Sequence, residues 1–229
     1  MEHKFDGFTV TTLVTGRWKA NCYLVQDLES QEIAVIDPGD DAEAIQEALE
    51  GQGGNVRYVV LTHGHYDHLA GAASLCRTKD LPCSVHSADM KTVRQGSIYA
   101  LAFEKKKIEL PESIAHFDLD QNGDSYTFPL GKTEITGWPT PGHTPGSICL
   151  RSGPCWFTGD TLLDSKIGRT DLPGGDLESL MASVESLVDG FSNDAVIFPG
   201  HGSAMDHGQV LKWWDAAPFN KKTSSGGRS

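Results

Sequence analysis

Residues 61–71 read LTHGHYDHLAG and place His63, His65, Asp67 and His68 within six positions, directly behind the apolar run 56–61, VRYVVL. Three further loops put a metal-ligating residue after an apolar stretch: PGHTPG with His143, FTGDT with Asp160, and IFPGHG with His201. Together they supply five histidines and two aspartates. Imidazole and carboxylate without thiolate suit zinc, iron or manganese in a reactive site better than a Cys-rich structural zinc site. Glycines at 64, 142, 159 and 200 stand beside four of the seven ligands and let the backbone turn close to an ion. His63 and His65 lie two apart in extended chain and project the same way, whereas Asp67 and His68 sit where the chain enters a helix and can aim at a neighbouring point. One strand end can therefore serve two metal ions. Burying four ionisable groups there costs on the order of several kcal/mol unless a cation compensates them. Taken singly, His143 or His201 reads first as a hydrogen-bonded histidine at a strand end. His3, His86, His116 and His207 lack such a setting and read as solvated or capping residues, and Asp37 reads as a turn residue that can buttress a ligand from behind.

The elements that must hold these loops follow from pattern. Strands are expected at 8–14, 22–25, 33–36 and 56–61, the last apolar on both faces as in a strand buried between layers. A helix capped by Asp40 or Asp41 runs to a stop at Gly51, and a second begins at Asp67 or His68 and continues to about Arg77. A strand at 83–86 and a mixed polar region to about Leu110 follow. From Asp124 the same grammar returns: short strands at 126–128, 133–138, 147–150 and 155–157, a helix at 177–188, a strand at 195–198 and a short helix at 208–216. This order predicts an α/β, four-layer αββα sandwich with two mixed β-sheets flanked by helices. We expect one catalytic domain over residues 1–220 and a disordered polar tail at 221–229, KKTSSGGRS.

The chain of 229 residues can bury a large core without disulfide support, and its five cysteines are scattered with no CxxC pair, which fits a reducing, cytoplasmic setting. Nineteen basic against thirty-one acidic residues give a net charge of −12, which disfavours nucleic acid and anionic membrane as partners. No apolar run approaches the roughly 20 residues that span a bilayer.

In this order THxHxDH, PGHT, GDT and PGHG resemble the metallo-β-lactamase fold superfamily over about residues 21–201. GDTLL at 159–163 followed by GRTDLPGG at 168–175 is similar to its glyoxalase II-like (hydroxyacylglutathione hydrolase-like) branch, in particular the short bacterial type. The resemblance implies two divalent ions, zinc first with iron or manganese as alternatives, one held by His63, His65 and His143, the other by Asp67, His68 and His201, with Asp160 bridging. It also implies a metal-bridging hydroxide that attacks a small-molecule thioester such as a glutathione conjugate, with Asp67 orienting that nucleophile and Asp160 beside it. Full-length glyoxalase II enzymes carry Lys and Tyr where this chain has Arg169 and Asp171, and they add a C-terminal helical domain with basic glutathione contacts. Arg169 can clamp a substrate carboxylate, or it can pair with Asp171 or Asp176 and pin its own loop; Lys221 and Lys222 are weak basic stand-ins. The persulfide dioxygenases of the same superfamily also carry GRTD and use one iron on His65, His143 and Asp160, an alternative activity. Lactone or phosphodiester hydrolysis are weaker ones.

Overall fold

The computed structural model describes residues 1–117 and 125–217. The expected tail at 221–229, Lys221 and Lys222, and the start of the second half at Asp124 lie outside the described residues. The first half runs β1 (Glu2–Lys4), β2 (Phe8–Thr15), β3 (Ala20–Asp27), β4 (Glu32–Ile36), α1 (Ala42–Gln52), β5 (Asn55–Val60), α2 (Tyr66–Leu69), α3 (Ala72–Lys79), β6 (Cys83–His86), a 3-10 turn at Ser87–Asp89, α4 (Met90–Glu104) and β7 (Ile114–Phe117). The second runs β8 (Tyr126–Leu130), β9 (Thr133–Pro139), β10 (Ile148–Ser152), β11 (Cys155–Gly159), the hairpin β12 (Leu162–Leu163) and β13 (Lys166–Ile167), α5 (Leu177–Gly190), β14 (Val196–Pro199), β15 (Met205–Asp206) and α6 (His207–Ala216).

Two mixed sheets stack face to face. The first has the order β1-β2-β3-β4-β5-β6-β7, antiparallel to β4 and parallel from β4 onward. The second has the order β15-β14-β11-β10-β9-β8, with β11 and β14 parallel and the other pairs antiparallel. The alternation of side chains along each strand divides the apolar residues into three cores. On β3, Tyr23 and Val25 join Phe128, Phe157 and Phe198 between the sheets, while Cys22 and Leu24 face outward against Ile45 and Leu49 of α1. On the far side Cys149, Trp156 and Ile197 meet Leu180 and Val184 of α5 and Val210 and Trp214 of α6. This is the four-layer αββα sandwich, and it explains why every residue of β3 is buried. A one-residue slip would exchange its two faces between two different cores.

Several local expectations are corrected. Asp41 adopts a left-handed conformation (φ 66°) with no side-chain cap; its carboxylate accepts from the Gly16 amide at 2.8 Å instead. Helix α1 continues past Gly51, and its left-handed terminator is Gly53. The single helix expected from Asp67 or His68 to Arg77 is two helices, α2 and α3, parted at Ala70 and Gly71. A Cβ on Gly71 would lie 2.5 Å from the Gly39 carbonyl oxygen, so the break is set by contact with the turn after β4. The polar region before Leu110 contains the fifteen-residue helix α4. Its buried positions are Thr92, Val93, Gly96 and Ala100, so the inward stripe is made of small side chains and carries little hydropathy signal.

Asp27, at the end of β3, links the sheets. Its carboxylate accepts from the Ser30 amide and hydroxyl at 2.7 and 2.8 Å and from the amides of Lys132, in the β8–β9 turn, and Thr133, at the start of β9, both at 3.1 Å. Burial alone would raise its pKa; these donors outweigh it and lower the pKa. The ionised form is thus favoured by folding, and the stabilisation is complete above the unfolded value of about 4 and disappears as pH falls through the lower folded value. We expect Asp27→Ala to cost about 2–3 kcal/mol at pH 7 and progressively less below about pH 4. Urea titrations at both pH values check this; a pH-independent difference would contradict it.

Candidate metal centre

The four ligand loops converge at one edge of the sandwich because the strands that precede them end there. Backbone bonds lace these ends together: Gly200 donates to Gly159 at 2.7 Å, Asn21 to Gly200 at 2.8 Å, and Ile148 to Thr62 at 2.9 Å. His63 and His65 follow β5, Asp67 and His68 open α2, His143 lies in the β9–β10 connection, Asp160 follows β11 and His201 follows β14. All seven sequence-predicted ligands are brought together. His63, His65 and His143 form one group whose ligand atoms all lie within 4.8 Å of one another, and Asp67, His68 and His201 form a second that meets the same limit. Between them Asp160 places Oδ1 3.5 Å from His68 Nε2 and Oδ2 3.6 Å from both His143 Nε2 and His201 Nε2. Asp67 Oδ2 lies 3.4 Å from His201 Nε2.

The outward nitrogens decide which atoms face the centre. Asp37 Oδ2 receives the Thr62 hydroxyl at 2.6 Å, so Thr62 Oγ1 is left to accept from His63 Nδ1 at 3.1 Å. The same Asp37 oxygen accepts from His68 Nδ1 at 3.0 Å. His143 Nδ1 donates to the Arg169 carbonyl at 2.7 Å, and His201 Nδ1 to the Trp18 carbonyl at 3.0 Å. Each of these four rings therefore turns Nε2 inward, the nitrogen that a metal would take in place of a proton. His65 presents Nδ1, 2.9 Å from His143 Nε2.

This donor set fits a pair of divalent ions. His63 Nε2 and Asp160 Oδ1 are buried without a hydrogen-bond partner. Orphaned acceptors facing a common point lose their hydration with nothing in exchange unless a cation sits among them. The electrostatics agree. Burial, reinforced by neighbouring imidazoles, drives His63 well below the ordinary histidine range and His65 down to about 4. In the second group burial pulls the same way, but Asp67 and Asp160 outweigh it and push His68 up to about 10; His201 is raised by its bond to Asp67 and by Asp160. Burial opposes ionisation of Asp67, yet His68 and His201 hold its carboxyl well below the usual range. The two carboxylates thus draw positive charge into the second group, as they would a dication.

The family model described as the metallo-beta-lactamase superfamily matches residues 15–201. The chain belongs to that superfamily. Among its relatives is the hydroxyacylglutathione hydrolase GloC of Haemophilus influenzae, 32% identical over 197 residues that cover 84% of this chain and 90% of the relative. Among solved structures, TTHA1623 in a di-iron-bound form aligns with TM-score 0.76 at 28% identity, over 88% of this chain and 97% of that one. The BLEG-1 B3 metallo-beta-lactamase aligns with TM-score 0.76 at 25% identity, over 89% and 96%. A superfamily of metal-dependent hydrolases, together with these His and Asp clusters, makes the edge of the sandwich a divalent-metal centre.

One feature of this centre, the role of Asp89, was not readable from residue spacing, whereas the close approach at Gly200 was. Asp89, fully buried in the 3-10 turn after β6, accepts from the Gly64 amide at 2.6 Å, the Thr144 hydroxyl at 2.7 Å and the Gly146 amide at 2.7 Å. It ties the loop between His63 and His65 to the loop after His143, and desolvation raises its pKa in spite of the three donors. Gly200 is required by close approach: a Cβ there would lie 2.2 Å from Asp160 Oδ1 and 2.9 Å from His68 Cε1. Of the two roles open to Arg169, the structure places its guanidinium on Asp171, with Nε–Oδ1 and Nη2–Oδ2 both at 2.6 Å. His86 caps the turn after β6, where its Nδ1 accepts from the Ala88 amide at 3.2 Å.

Proposed function

We propose that the protein is a binuclear metal-dependent thioesterase of the glyoxalase II type. The observation that carries this reading is the pair of three-residue groups joined by Asp160 at the floor of a cavity of about 530 Å³, into which His65, Asp67, His143 and His201 open. His63, His65 and His143 would hold one ion, Asp67, His68 and His201 the other, and Asp160 both. Bound there, two divalent ions, zinc foremost, supply hydroxide at neutral pH and polarise an acyl carbonyl. The chain's own part is positional. Asp160 reaches both histidine groups and keeps them in register, while the outward bonds of His63, His68, His143 and His201 hold the rings still. Asp67 would accept a hydrogen bond from the attacking hydroxide and turn its lone pair toward the acyl carbon. A C–O bond forms, the C–S bond breaks, and a carboxylic acid and a thiol leave. The similarity to GloC supports the thioester as the bond cleaved.

Elemental analysis of the purified protein, paired with thioester hydrolysis on the same sample, tests this reading. Close to two zinc, iron or manganese ions per chain with turnover of a thioester, S-lactoylglutathione first, is the expected result. One iron per chain, no thioester turnover and oxygen uptake with glutathione persulfide would replace it with the dioxygenase activity.

A further inference from the structure

The wall above the metal ligands is aromatic and aliphatic. Trp18 stands in the β2–β3 connection, about half exposed. Its indole N–H donates to the Tyr66 hydroxyl, which in turn donates to Glu104 at 2.9 Å, so the Trp18 loop is fastened to the C-terminal end of α4. One helical turn apart on that end, Tyr99 and Phe103 stack with centroids 6.0 Å apart and planes inclined by 9°. Leu163 and Ile167 of the β12–β13 hairpin, with Leu172 beyond it, close the other side of the same cavity. Phe103 and Trp18 are each about half exposed although they are large and apolar, and both border the opening over the metal ligands.

Cations are scarce in this wall. Lys166 and Arg169 line it, but Arg169 is bound at two nitrogens to Asp171. Among the described residues, Lys166 is left as the one lysine or arginine lining the cavity without a carboxylate partner. A thiol carrier with two carboxylates therefore finds one unpaired side-chain cation in the wall, whereas a flat apolar group finds four aromatic rings and three aliphatic side chains. Rings at the mouth of a cavity hold such a group by apolar burial and by stacking.

Building on the thioesterase reading, we propose that this wall is an acyl subsite that selects thioesters bearing a large, flat apolar acyl group over those bearing a small hydroxylated one. Burial of a phenyl ring that lactate lacks is what the subsite adds, and it favours the larger acyl group by roughly tenfold in kcat/KM.

The test keeps the thiol constant. Metal-replete protein is assayed with S-phenylacetylglutathione and S-lactoylglutathione, and the ratio of the two kcat/KM values is read for the natural protein, Phe103→Ala and Leu172→Ala. We expect a ratio of roughly ten that falls to about two in Phe103→Ala, whose half-exposed position makes the substitution compatible with folding. Turnover of both thioesters with a ratio of one or less would reject the acyl subsite and leave the thioesterase standing. A preference that persists unchanged in both variants would also reject it. Failure to hydrolyse either thioester with two ions bound would remove the thioesterase reading, and the subsite with it.

Discussion

On the binuclear thioesterase reading proposed above, Asp160→Ala is expected to lower thioester turnover by roughly three orders of magnitude and the bound metal from two ions per chain to one or fewer. The argument rests on position. Among the described residues, Asp160 is the carboxylate whose oxygens reach His143 of the first group and both His68 and His201 of the second. Its loss would remove a ligand from both proposed ions at once, and a metal contribution of about 4 kcal/mol to the barrier corresponds to about three decades in rate at 1.36 kcal/mol each. Stability should behave differently. Asp160 Oδ1 is buried with no hydrogen bond, so truncating the side chain removes an unsatisfied acceptor as well as a favourable charge opposite His68. The two effects oppose, and the metal-free variant should stay within about 1 kcal/mol of the metal-free natural protein. Turnover, elemental analysis and urea titration of metal-free samples separate the two claims. A variant that keeps two ions and its turnover would show that Asp160 is not shared between them.

Asp89→Ala is the second large effect, and here stability and metal fall together. Three donors lose their acceptor inside the protein, and each buried donor left unpaired costs about 1–3 kcal/mol, partly relieved by any water that enters. We expect a loss of about 3 kcal/mol, which in a chain of this size lowers the melting temperature by roughly 6–12 °C. Metal affinity should weaken by about 10–100-fold, the range for groups that hold ligands from behind. Asp89→Asn is the sharper comparison. The two backbone donors lie on different oxygens, Gly146 on Oδ1 and Gly64 on Oδ2, so an amide must point its NH₂ at one of them. If Asn restores both stability and affinity, the charge and the paired acceptors are not what join the two loops.

Asp89 also shows where reading the sequence stops. His63, His65, Asp67 and His68 are legible because their spacing on a strand end and helix start is local, and burial of so many ionisable groups is itself a signal. The partners of Asp89 are 25, 55 and 57 residues away, and nothing in SVHSADM predicts which loops it will meet. Helix α4 was hidden for a different reason. Its inward face is built from Thr92, Gly96 and Ala100, whereas Ile98, Leu101 and Phe103 point out, so hydropathy inverts the pattern that a surface helix normally displays. Short elements such as β12, β13 and β15, two residues each, are held only by pairing with neighbours and carry no period to detect. Arg169 illustrates the opposite case: both of its roles were visible in GRTD, and only coordinates place its guanidinium against Asp171 two residues on.

The distances along the chain within the ligand set have a kinetic consequence. His68 faces a histidine 133 residues downstream and His65 one 78 residues downstream, so the complete set exists only after the two sheets have docked. In the unfolded chain an ion meets the local cluster His63-x-His65-x-Asp67-His68 alone, a weaker and more exposed chelator. Loop closure over such separations is the slow part of folding, which makes the filled centre a product of the late, docked state and not its template. An ion that is released only when the sheets part again acts chiefly as a brake on unfolding.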